Sequence, residues 1–418
     1  MAWVQVSDIR WERPVDGLEG YFVVSAGISA GLCDGREHYT LFSKLKLKAE
    51  RSDMAPALKH TWKPIRYEQP QIAITVDGMK KVYEVPDQKA LEDHKAHQVS
   101  YAVLYTKVLG TRVSCPPPTI DGTGVFLFWQ SYLKVLSSPT EDIRSGDEPA
   151  RLAPTMEVAL GYSEQPTKEM SETSTALFME WAGSIPGIGP ASQLGHAASG
   201  KCQNAELVFS ADTTNALVTA CREKGVTITA AVHAAYVRAI ANHADPNSKL
   251  SQYVSASQFN LRSYLPTPYN SSKYAVSVYY SPLPYKIDLP VSYWDIAKSR
   301  HGYYQTSFRA NPELLEVKGH FARALCSAAQ SPEFLAGPVS KDALVSSLGI
   351  AERYVQREYG SGIEVQDLKM GVDVVMGMSM FFFYTFRDQL RLFYSFNDGS
   401  EKPEDIQKYL EKAQAILI

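Results

Sequence analysis

Apolar residues recur at helical spacing in the stretch that follows three consecutive prolines. After Asp121 and Gly122, they occupy positions i, i+3, i+4, i+7, i+8 and i+11, which form one apolar helix face. Those positions are Val125, Phe128, Trp129, Tyr132, Leu133 and Leu136. The preceding apolar run from residue 99 to residue 113 is typical of a strand, and the prolines end it because proline has no backbone N–H. The pattern therefore predicts a strand, a rigid loop, an Asp-Gly turn and a helix.

The same periodicities predict further elements along the chain. Helices are expected at residues 88–98, 210–225, 227–245, 293–308, 312–330 and from Pro403 to the end. Strands are expected at 253–266 and 274–285, as a pair within 371–399, and as a hairpin that turns at Asp77-Gly78. Between residues 137 and 200 the chain is rich in Pro, Gly, Ser and Thr, which is typical of a crossover. We therefore predict domains at 1–165 and 201–418, joined by a crossover at 166–200.

Composition narrows the class of protein. With 418 residues, 45% apolar and 21% charged, the chain is long enough for two ordinary cores. A net charge of −3 does not favour binding to nucleic acid or to an anionic membrane. The five cysteines are odd in number and scattered, the N-terminus has no apolar signal segment, and the apolar run Val374–Phe386 is too short to span a bilayer. We expect a monomeric cytoplasmic protein that binds a small hydrophobic molecule.

Two apparent ligand motifs fail on context. Residues 195–202 nearly match a phosphate-binding loop, but a strand-like segment follows them and Cys202 replaces the Ser or Thr hydroxyl that magnesium needs. His94 and His97 lie three residues apart on a polar predicted helix with no third ligand nearby. Neither a metal nor a cofactor is predicted.

The order of loop, Asp-Gly and helix resembles the H-H-x-x-x-D-G region of the chloramphenicol acetyltransferase, condensation-domain and BAHD acyltransferase superfamily, and within it the fungal trichothecene 15-O-acetyltransferases. Similar segments are the W-x-x-x-R-x-x-x-P-x-I-A stretch from Trp62 to Ala73, the Asn260-Leu261-Arg262 strand end, and the last ninety or so residues. The resemblance implies an α/β fold of two chloramphenicol-acetyltransferase-like domains, with mixed sheets flanked by helices. A tunnel would run between the domains, with the Asp121 loop at its middle.

One position departs from the family pattern. The family's general base, which deprotonates the acceptor alcohol, is a histidine four residues before the aspartate, and here that position is Pro117. Proline cannot accept a proton, and general base catalysis typically contributes about 10²–10⁴ in rate. Acyl transfer would therefore need a relocated base, and His233, Cys115 or a group on the substrate are the candidates.

The missing base leads to the hypothesis of a cofactor-independent cyclase, a pericyclase of the Diels–Alder type in fungal secondary metabolism. Such an enzyme needs positioning and hydrogen-bond activation of its terpenoid or polyketide substrate, and no base. Predicted catalytic residues are Gln258, Asn260 and Tyr279. Predicted substrate-binding residues are Pro117, Thr119, Asp121, Trp129, Arg262 and Phe383. Aromatic residues of the second domain, among them Tyr280 and Phe382, suit either a tunnel lining or an ordinary core.

Two alternatives are kept beside the cyclase. The first is an acyl-CoA-dependent O-acyltransferase with a relocated base, and the second is a metabolite-binding homologue without activity. An imidazole that reaches the cleft from another part of the chain would favour ester formation over cyclisation.

Overall fold

A computed structural model describes most of the chain. The described residues are 2–50, 53–87, 99–105, 108–116, 118–139, 146–162, 166–190, 192–195, 197–244, 248–309, 313–337 and 341–418. The helix predicted at 88–98, with His94 and His97, lies outside these residues, and so does Pro117.

The described elements alternate between helix and strand. The helices are α1 (Gly17–Leu32), α2 (Met54–Glu68), α3 (Gly122–Ser137), α4 (Met156–Leu160), α5 (Lys168–Ala182), α6 (Ala211–Glu223), α7 (Ile228–Asn242), α8 (Tyr293–Arg309), α9 (Glu313–Ala328), α10 (Pro332–Leu335) and α11 (Pro403–Leu417). The strands are β1 (Val4–Gln5), β2 (Arg10–Pro14), β3 (Thr40–Lys48), β4 (Thr75–Asp77), β5 (Lys80–Glu84), β6 (Val99–Tyr105), β7 (Val108–Cys115), β8 (Cys202–Val208), β9 (Gln252–Asn260), β10 (Tyr280–Asp288), β11 (Leu344–Ile350), β12 (Glu358–Tyr359), β13 (Ile363–Asp373), β14 (Met380–Phe386) and β15 (Gln389–Asn397).

Two large sheets organise the molecule. The six-stranded sheet has the order β10-β9-β11-β14-β15-β8, and β11 runs parallel to both of its neighbours while the other pairs are antiparallel. The five-stranded sheet has the order β12-β13-β3-β7-β6 and is antiparallel. A small sheet, β1-β2-β5-β4, stands beside them.

The chain crosses between the two halves of the molecule. Strand β13 comes from the predicted second domain but pairs along its length with β3 of the first, with Met370 opposite Ser43. The five-stranded sheet of the first half thus depends on strands β12 and β13, which come from the second half. The predicted domain bounds, which are continuous in sequence, stay a prediction.

Each large sheet buries one face under helices. Helix α3 is buried on nearly every side in the first core, because its apolar residues meet both the five-stranded sheet and α2. In the second core, α7 and α11 pack together and cover the six-stranded sheet with residues such as Ala235, Ile240 and Leu410. Burial of these apolar faces is the main force that holds the helices on the sheets.

Most of the sequence-predicted elements are confirmed. Helices α3, α6, α7, α8, α9 and α11 lie where periodicity placed them, and the hairpin turns at Gly78, whose φ of +57° suits glycine. The run from 99 to 113 is not one strand: β6 and β7 form an antiparallel hairpin. Helix α1 was not predicted, although Asp16 and Glu19 form a capping box at its start.

Candidate functional site

A large cavity lies between the two halves of the molecule and encloses about 670 Å³. Its walls come from α1, the loop before α3, strands β9 and β11, and the segment from Met376 to Phe382. The lining is mostly apolar, which together with this volume is typical of a site for a small organic molecule. We take this cavity as the candidate functional site.

The cavity is elongated. Both Leu18 and Leu32 of α1 line it, and at 1.5 Å per residue they lie about 21 Å apart. Asp342 and Leu348 also line it, and the segment between them, which lies mostly in β11, spans at most about 20 Å at about 3.3 Å per residue. Gly122 contacts Leu348, so the Asp121 loop sits at one end, called the loop end. Asp342 lies at the opposite end, called the far end.

At the loop end, the Asp121 carboxylate is fully engaged by the protein. It caps α3 by accepting a hydrogen bond from the Gly124 N–H at 2.7 Å, and it accepts another from the Tyr279 N–H at 2.7 Å. Nη1 of Arg262 donates to both carboxylate oxygens, at 2.7 and 2.6 Å. Asp121 therefore holds the loop, the helix and the second half together, and it has no oxygen left to take a proton from a substrate.

Gly124, in the first turn of α3, has no room for a side chain. A Cβ atom at Gly124 would lie 2.4 Å from the Ala275 carbonyl oxygen and 3.0 Å from Nη2 of Arg262. The Asp-Gly-x-Gly sequence thus allows α3 to begin directly against the second half of the molecule.

Two of the predicted catalytic residues face the cavity. Gln258 and Asn260 line it from β9, and Oε1 of Gln258 has no hydrogen-bond partner among the described residues. Oδ1 of Asn260 accepts from the Arg262 N–H at 3.1 Å. These two neutral amides give the loop end its hydrogen-bonding capacity.

The third predicted catalytic residue does not face the cavity. Tyr279 is buried, and its hydroxyl donates to the Pro154 carbonyl at 3.1 Å. The adjacent Tyr280 lines the cavity instead, because successive side chains of an extended segment point to opposite sides. The aromatic group at this position is therefore Tyr280, which the predicted site did not include.

The predicted substrate-binding residues are divided in the same way. Asp121 lines the cavity, whereas Arg262 is buried behind it and Thr119 lines a separate small pocket next to Arg13 and Lys81. Pro117 lies outside the described residues.

Two predicted aromatic contacts belong to the cores. Nε1 of Trp129 donates to Oγ of Ser43 at 2.9 Å inside the first core. Phe383 packs in the second core, and its neighbour Phe382 lines the cavity. The alternation of side chains along β14 decides which of the two phenylalanines a ligand would touch.

His233, one candidate for a relocated base, is held in a buried polar cluster. Nη2 of Arg300 donates to its Nδ1 at 2.8 Å, so the imidazole proton sits on Nε2, 2.9 Å from the Tyr253 hydroxyl. Burial, and then the charge of Arg300, lower the pKa of His233 well below its ordinary value. His233 does not line the cavity and cannot act there as a base.

The Cys115 thiol is no better placed. Burial raises the pKa of Cys115 to about 12, so the thiolate that nucleophilic chemistry requires is not formed near neutral pH. Cys115 does not line the cavity either. Both of the protein's predicted substitutes for the missing histidine are thereby removed.

Another imidazole does reach the cavity. His38 lines it, and its Nδ1 accepts hydrogen bonds from the backbone N–H groups of Val375 and Met376 at 3.1 and 3.4 Å. The imidazole proton must therefore sit on Nε2, which makes His38 a donor. Burial lowers the pKa of His38 to about 3, so the ring stays neutral.

A buried carboxylic acid shares the cavity with His38. Asp342 lines the far end with 5% of its surface exposed, and burial raises its pKa well above the ordinary value. Both residues precede strands, so no helical or strand periodicity marks them. Their only sequence signal is a polar residue next to an apolar run, which is common in any chain.

Three further observations concern the described residues only. No group of three or more His, Cys, Asp or Glu side chains among them could hold a metal ion. No helix in the described ranges is long and apolar enough to cross a membrane. The segment resembling a phosphate-binding loop leads into strand β8 and not into a helix, as the sequence context indicated. The monomeric state and the cytoplasmic location stay predictions.

The chain is similar over nearly its whole length to two acetyltransferases of a fungus, although no family model matches it. O-acetyltransferase pigM of Monascus ruber is 23% identical, with 100% of this chain and 87% of pigM covered. Acetyltransferase pigO of the same fungus is 24% identical, with 96% and 94% covered.

Solved structures share the fold. The TRI3 trichothecene 15-O-acetyltransferase of Fusarium sporotrichioides superimposes with a TM-score of 0.83 at 15% identity, over 100% of this chain and 97% of TRI3. The first condensation domain of the calcium-dependent antibiotic synthetase superimposes with a TM-score of 0.66 at 13% identity, over 97% and 95%. The chain therefore has the two-domain α/β fold of the chloramphenicol acetyltransferase and condensation-domain proteins, with mixed sheets and flanking helices, as predicted.

The same comparisons correct the predicted function. The cyclase hypothesis is wrong, because pigM and pigO, which match nearly the full chain, are acetyltransferases. It gave too much weight to one position, Pro117, and too little to the rest of the scaffold. The acyltransferase alternative is the better supported.

Proposed function

We propose that this chain transfers an acyl group from an acyl thioester, such as acyl-CoA, to the hydroxyl of a small hydrophobic metabolite. The observation that carries the proposal is the similarity to pigM and pigO over nearly the entire chain. This similarity extends through both domains, so it includes the residues of the cavity walls as well as the Asp121 loop.

The cavity supports a neutral acceptor. Among the described residues, no lysine or arginine lines it, so a carboxylate or phosphate on the acceptor would find no counter-ion. Its apolar wall includes Phe22, Leu344 and Phe382. Its polar groups are amides, hydroxyls, the neutral His38 imidazole, the engaged Asp121 and two further acidic residues. A polycyclic or polyketide alcohol matches this lining better than a sugar does.

An enclosed apolar site favours acyl transfer over hydrolysis. Acyl transfer requires the hydroxyl and the thioester carbonyl to be held together while water is excluded, and positioning of this kind supplies up to about 7–11 kcal/mol of the barrier. The elongated shape allows the acceptor and the end of the thioester to lie in line.

The proposal is tested with purified protein, acetyl-CoA and a panel of neutral polyketide and terpenoid alcohols. Release of free thiol, with a matching gain of one acetyl group on an alcohol by mass spectrometry, is the expected result. Thermal shift with each alcohol alone provides the second measurement.

The two measurements separate the alternatives. Alcohols that raise the melting temperature without any acetyl transfer would overturn the enzyme proposal in favour of a metabolite-binding protein. If no alcohol of the panel binds and none is acetylated, both the enzyme proposal and the metabolite-binding alternative are contradicted. A matched preparation of the Ala256→Phe variant, whose added ring occupies the cavity, controls for thiol release caused by contaminating enzymes.

A further inference from the structure

Two polar side chains from distant parts of the chain, His38 and Asp342, line the cavity near the segment from Val375 to Ser379. The His38 N–H donates to Oγ of Ser29, late in α1, and the neighbouring Tyr39 hydroxyl donates to the Met378 carbonyl at 2.6 Å. The Leu344 N–H donates to the Ser379 carbonyl, which brings the start of β11 next to the same segment. Asp342, two residues before Leu344, therefore lies at the His38 end.

The Asp342 carboxyl has no charged partner. None of the hydrogen bonds or ion pairs made by other described side chains reaches it, and no lysine or arginine of the described residues lines the cavity. The titratable groups that interact with it electrostatically are themselves neutral or acidic: Tyr39, Tyr236, Tyr253, Tyr394 and Glu401. Lys341, adjacent in sequence, directs its Nζ to the Ser192 carbonyl at 3.5 Å.

A buried carboxyl such as Asp342, which makes no ion pair that would stabilise the fold, is unusual. The Asp342 carboxyl has a hydrogen bond from its own backbone N–H but no charged partner, and a buried carboxyl of this kind costs free energy. Groups of this kind occur preferentially where they exchange protons with a ligand.

We propose that Asp342 accepts the proton of the acceptor hydroxyl, and that the Nε2–H of His38 hydrogen-bonds the carbonyl oxygen of the thioester. This assignment rests on the proposed acyl transfer. It places the reaction at the far end of the cavity, at most about 20 Å from the Asp121 loop.

The step balances without a further reactant. The hydroxyl oxygen forms a bond to the thioester carbonyl carbon while its proton moves to the Asp342 carboxylate. The resulting oxyanion accepts the His38 hydrogen bond, the C–S bond then breaks, and the proton leaves Asp342 for the departing thiolate. The products are an ester and a free thiol, and Asp342 returns to its carboxylate form.

The loop end offers no equivalent group among the described residues. The Asp121 carboxylate is engaged by Arg262 and two backbone N–H groups. Gln258 and Asn260 are neutral amides that do not titrate near neutral pH and so cannot act as a base. Burial also raises the pKa of the Tyr280 hydroxyl well above its ordinary value, so it is not a base.

The test compares Asp342→Asn with wild type in the acetyl-CoA assay, and Asp212→Asn serves as the matched control. Asp212 undergoes the same chemical change on an exposed face of α6, away from the cavity. We expect Asp342→Asn to lower kcat by about 10²–10⁴ with KM for the alcohol little changed, and Asp212→Asn to leave both unchanged. The wild-type rate should rise with pH as Asp342 loses its proton. The rate of Asp342→Asn should not show this rise.

A second variant tests His38. In His38→Asn, Oδ1 replaces Nδ1 as the acceptor of the Val375 and Met376 N–H groups, while the Nε2 donor is lost. We expect kcat to fall by about 10²–10³ with the fold retained, as for the loss of one oxyanion donor.

The outcomes distinguish the two proposals. Wild type that transfers acetyl, together with an Asp342→Asn variant of equal kcat and equal pH profile, would overturn the role of Asp342 and leave the acyltransferase proposal standing. Wild type that transfers no acetyl to any alcohol of the panel would overturn both. Circular dichroism shows whether a variant has lost activity because it is unfolded. If Asp342→Asn is unfolded, the activity of His38→Asn and the rise of the wild-type rate with pH test the proposal instead.

Discussion

Arg262, in the second half of the chain, donates through Nη1 to both oxygens of Asp121 in the first half, at 2.6 and 2.7 Å. Both side chains are about 95% buried or more, and Nη2 of Arg262 also donates to Oγ of Ser277 at 3.1 Å. This pair joins the start of α3 to the end of β9. The residues that resemble a catalytic motif thus form a structural connection between the two halves.

Breaking this ion pair should destabilise the fold strongly. Either Asp121→Ala or Arg262→Ala leaves one buried charge without a partner, and we expect a loss of about 3–5 kcal/mol in the free energy of unfolding. Urea denaturation followed by circular dichroism measures it. Arg357→Ala is the control, because Arg357 is 40% exposed and its ion pairs with Asp388 and Glu352 should each contribute no more than about 1 kcal/mol. Equal losses in the two cases would contradict the structural role of Asp121.

Asp342→Asn should make the protein more stable at neutral and alkaline pH. The pKa of Asp342 is raised in the folded state, so the folded protein holds a proton that the unfolded chain releases above about pH 4. Wild-type stability contributed by this group is therefore complete below that pH and is lost as pH rises through the folded-state pKa.

Melting temperatures of wild type and Asp342→Asn across pH 4–9 measure this effect. The difference in favour of the variant should grow with pH and then level off. A difference that stays constant across the whole range would show that the Asp342 carboxyl does not titrate in the folded protein.

Ala256→Phe should block the cavity and spare the fold. Ala256 lines the cavity from β9, so the added ring enters open space. We expect binding of the acceptor and acetyl transfer to fall at least about tenfold, with little change in melting temperature. Ala235→Phe, which inserts the same ring into the packed second core, should instead cost about 1–3 kcal/mol or more. Retained binding by Ala256→Phe would show that the ligand occupies another site.

His233→Gln should affect stability and not chemistry. Its loss leaves the buried Arg300 with fewer acceptors, and we expect a cost of about 1.5–3 kcal/mol. The rate of acetyl transfer per folded molecule should be unchanged. The acetyl-CoA assay, divided by the folded fraction from circular dichroism, measures this rate. A reduced rate in fully folded protein would return His233 to the list of catalytic candidates.

Acid should destabilise the protein through its buried imidazoles. The pKa values of His38 and His233 are lowered in the folded state, so the unfolded chain takes up protons below about pH 6.5 that the folded protein cannot accept. Their contribution to stability is present above that pH and is lost as pH falls. His38→Asn should reduce the slope of melting temperature against pH between 4 and 6, and an unchanged slope would contradict the buried neutral state of His38.

Local patterns predicted most of the elements but not the face that each residue presents. Periodicity located α3, α7 and α11, and the Asp-Gly sequence located the start of α3, because these signals lie within a few residues of one another. Helix α1, which forms one cavity wall, was missed even though its capping box was visible. The segment predicted as a crossover contains helix α5.

Some of the predicted site residues line the cavity and others do not. Gln258, Asn260 and Asp121 line the cavity, whereas Tyr279, Trp129 and Phe383 are buried elsewhere. In two cases the neighbouring residue, Tyr280 or Phe382, takes the place instead. A one-residue change in strand register moves every side chain to the other face, and register is set by pairing with strands far away in the sequence.

The sequence by itself determined the α/β fold, the Asp-Gly start of α3 and the absence of a histidine at position 117, since each depends on residues that lie close together in the chain. Only the tertiary structure decided that Asp121 is engaged by Arg262, and that His38 and Asp342 share one end of a cavity. The two residues of each pair are more than a hundred residues apart in the chain, and pairing between distant strands and helices brings their segments together. Short-range propensity does not encode such pairing, because it is settled by the burial of whole apolar faces against one another.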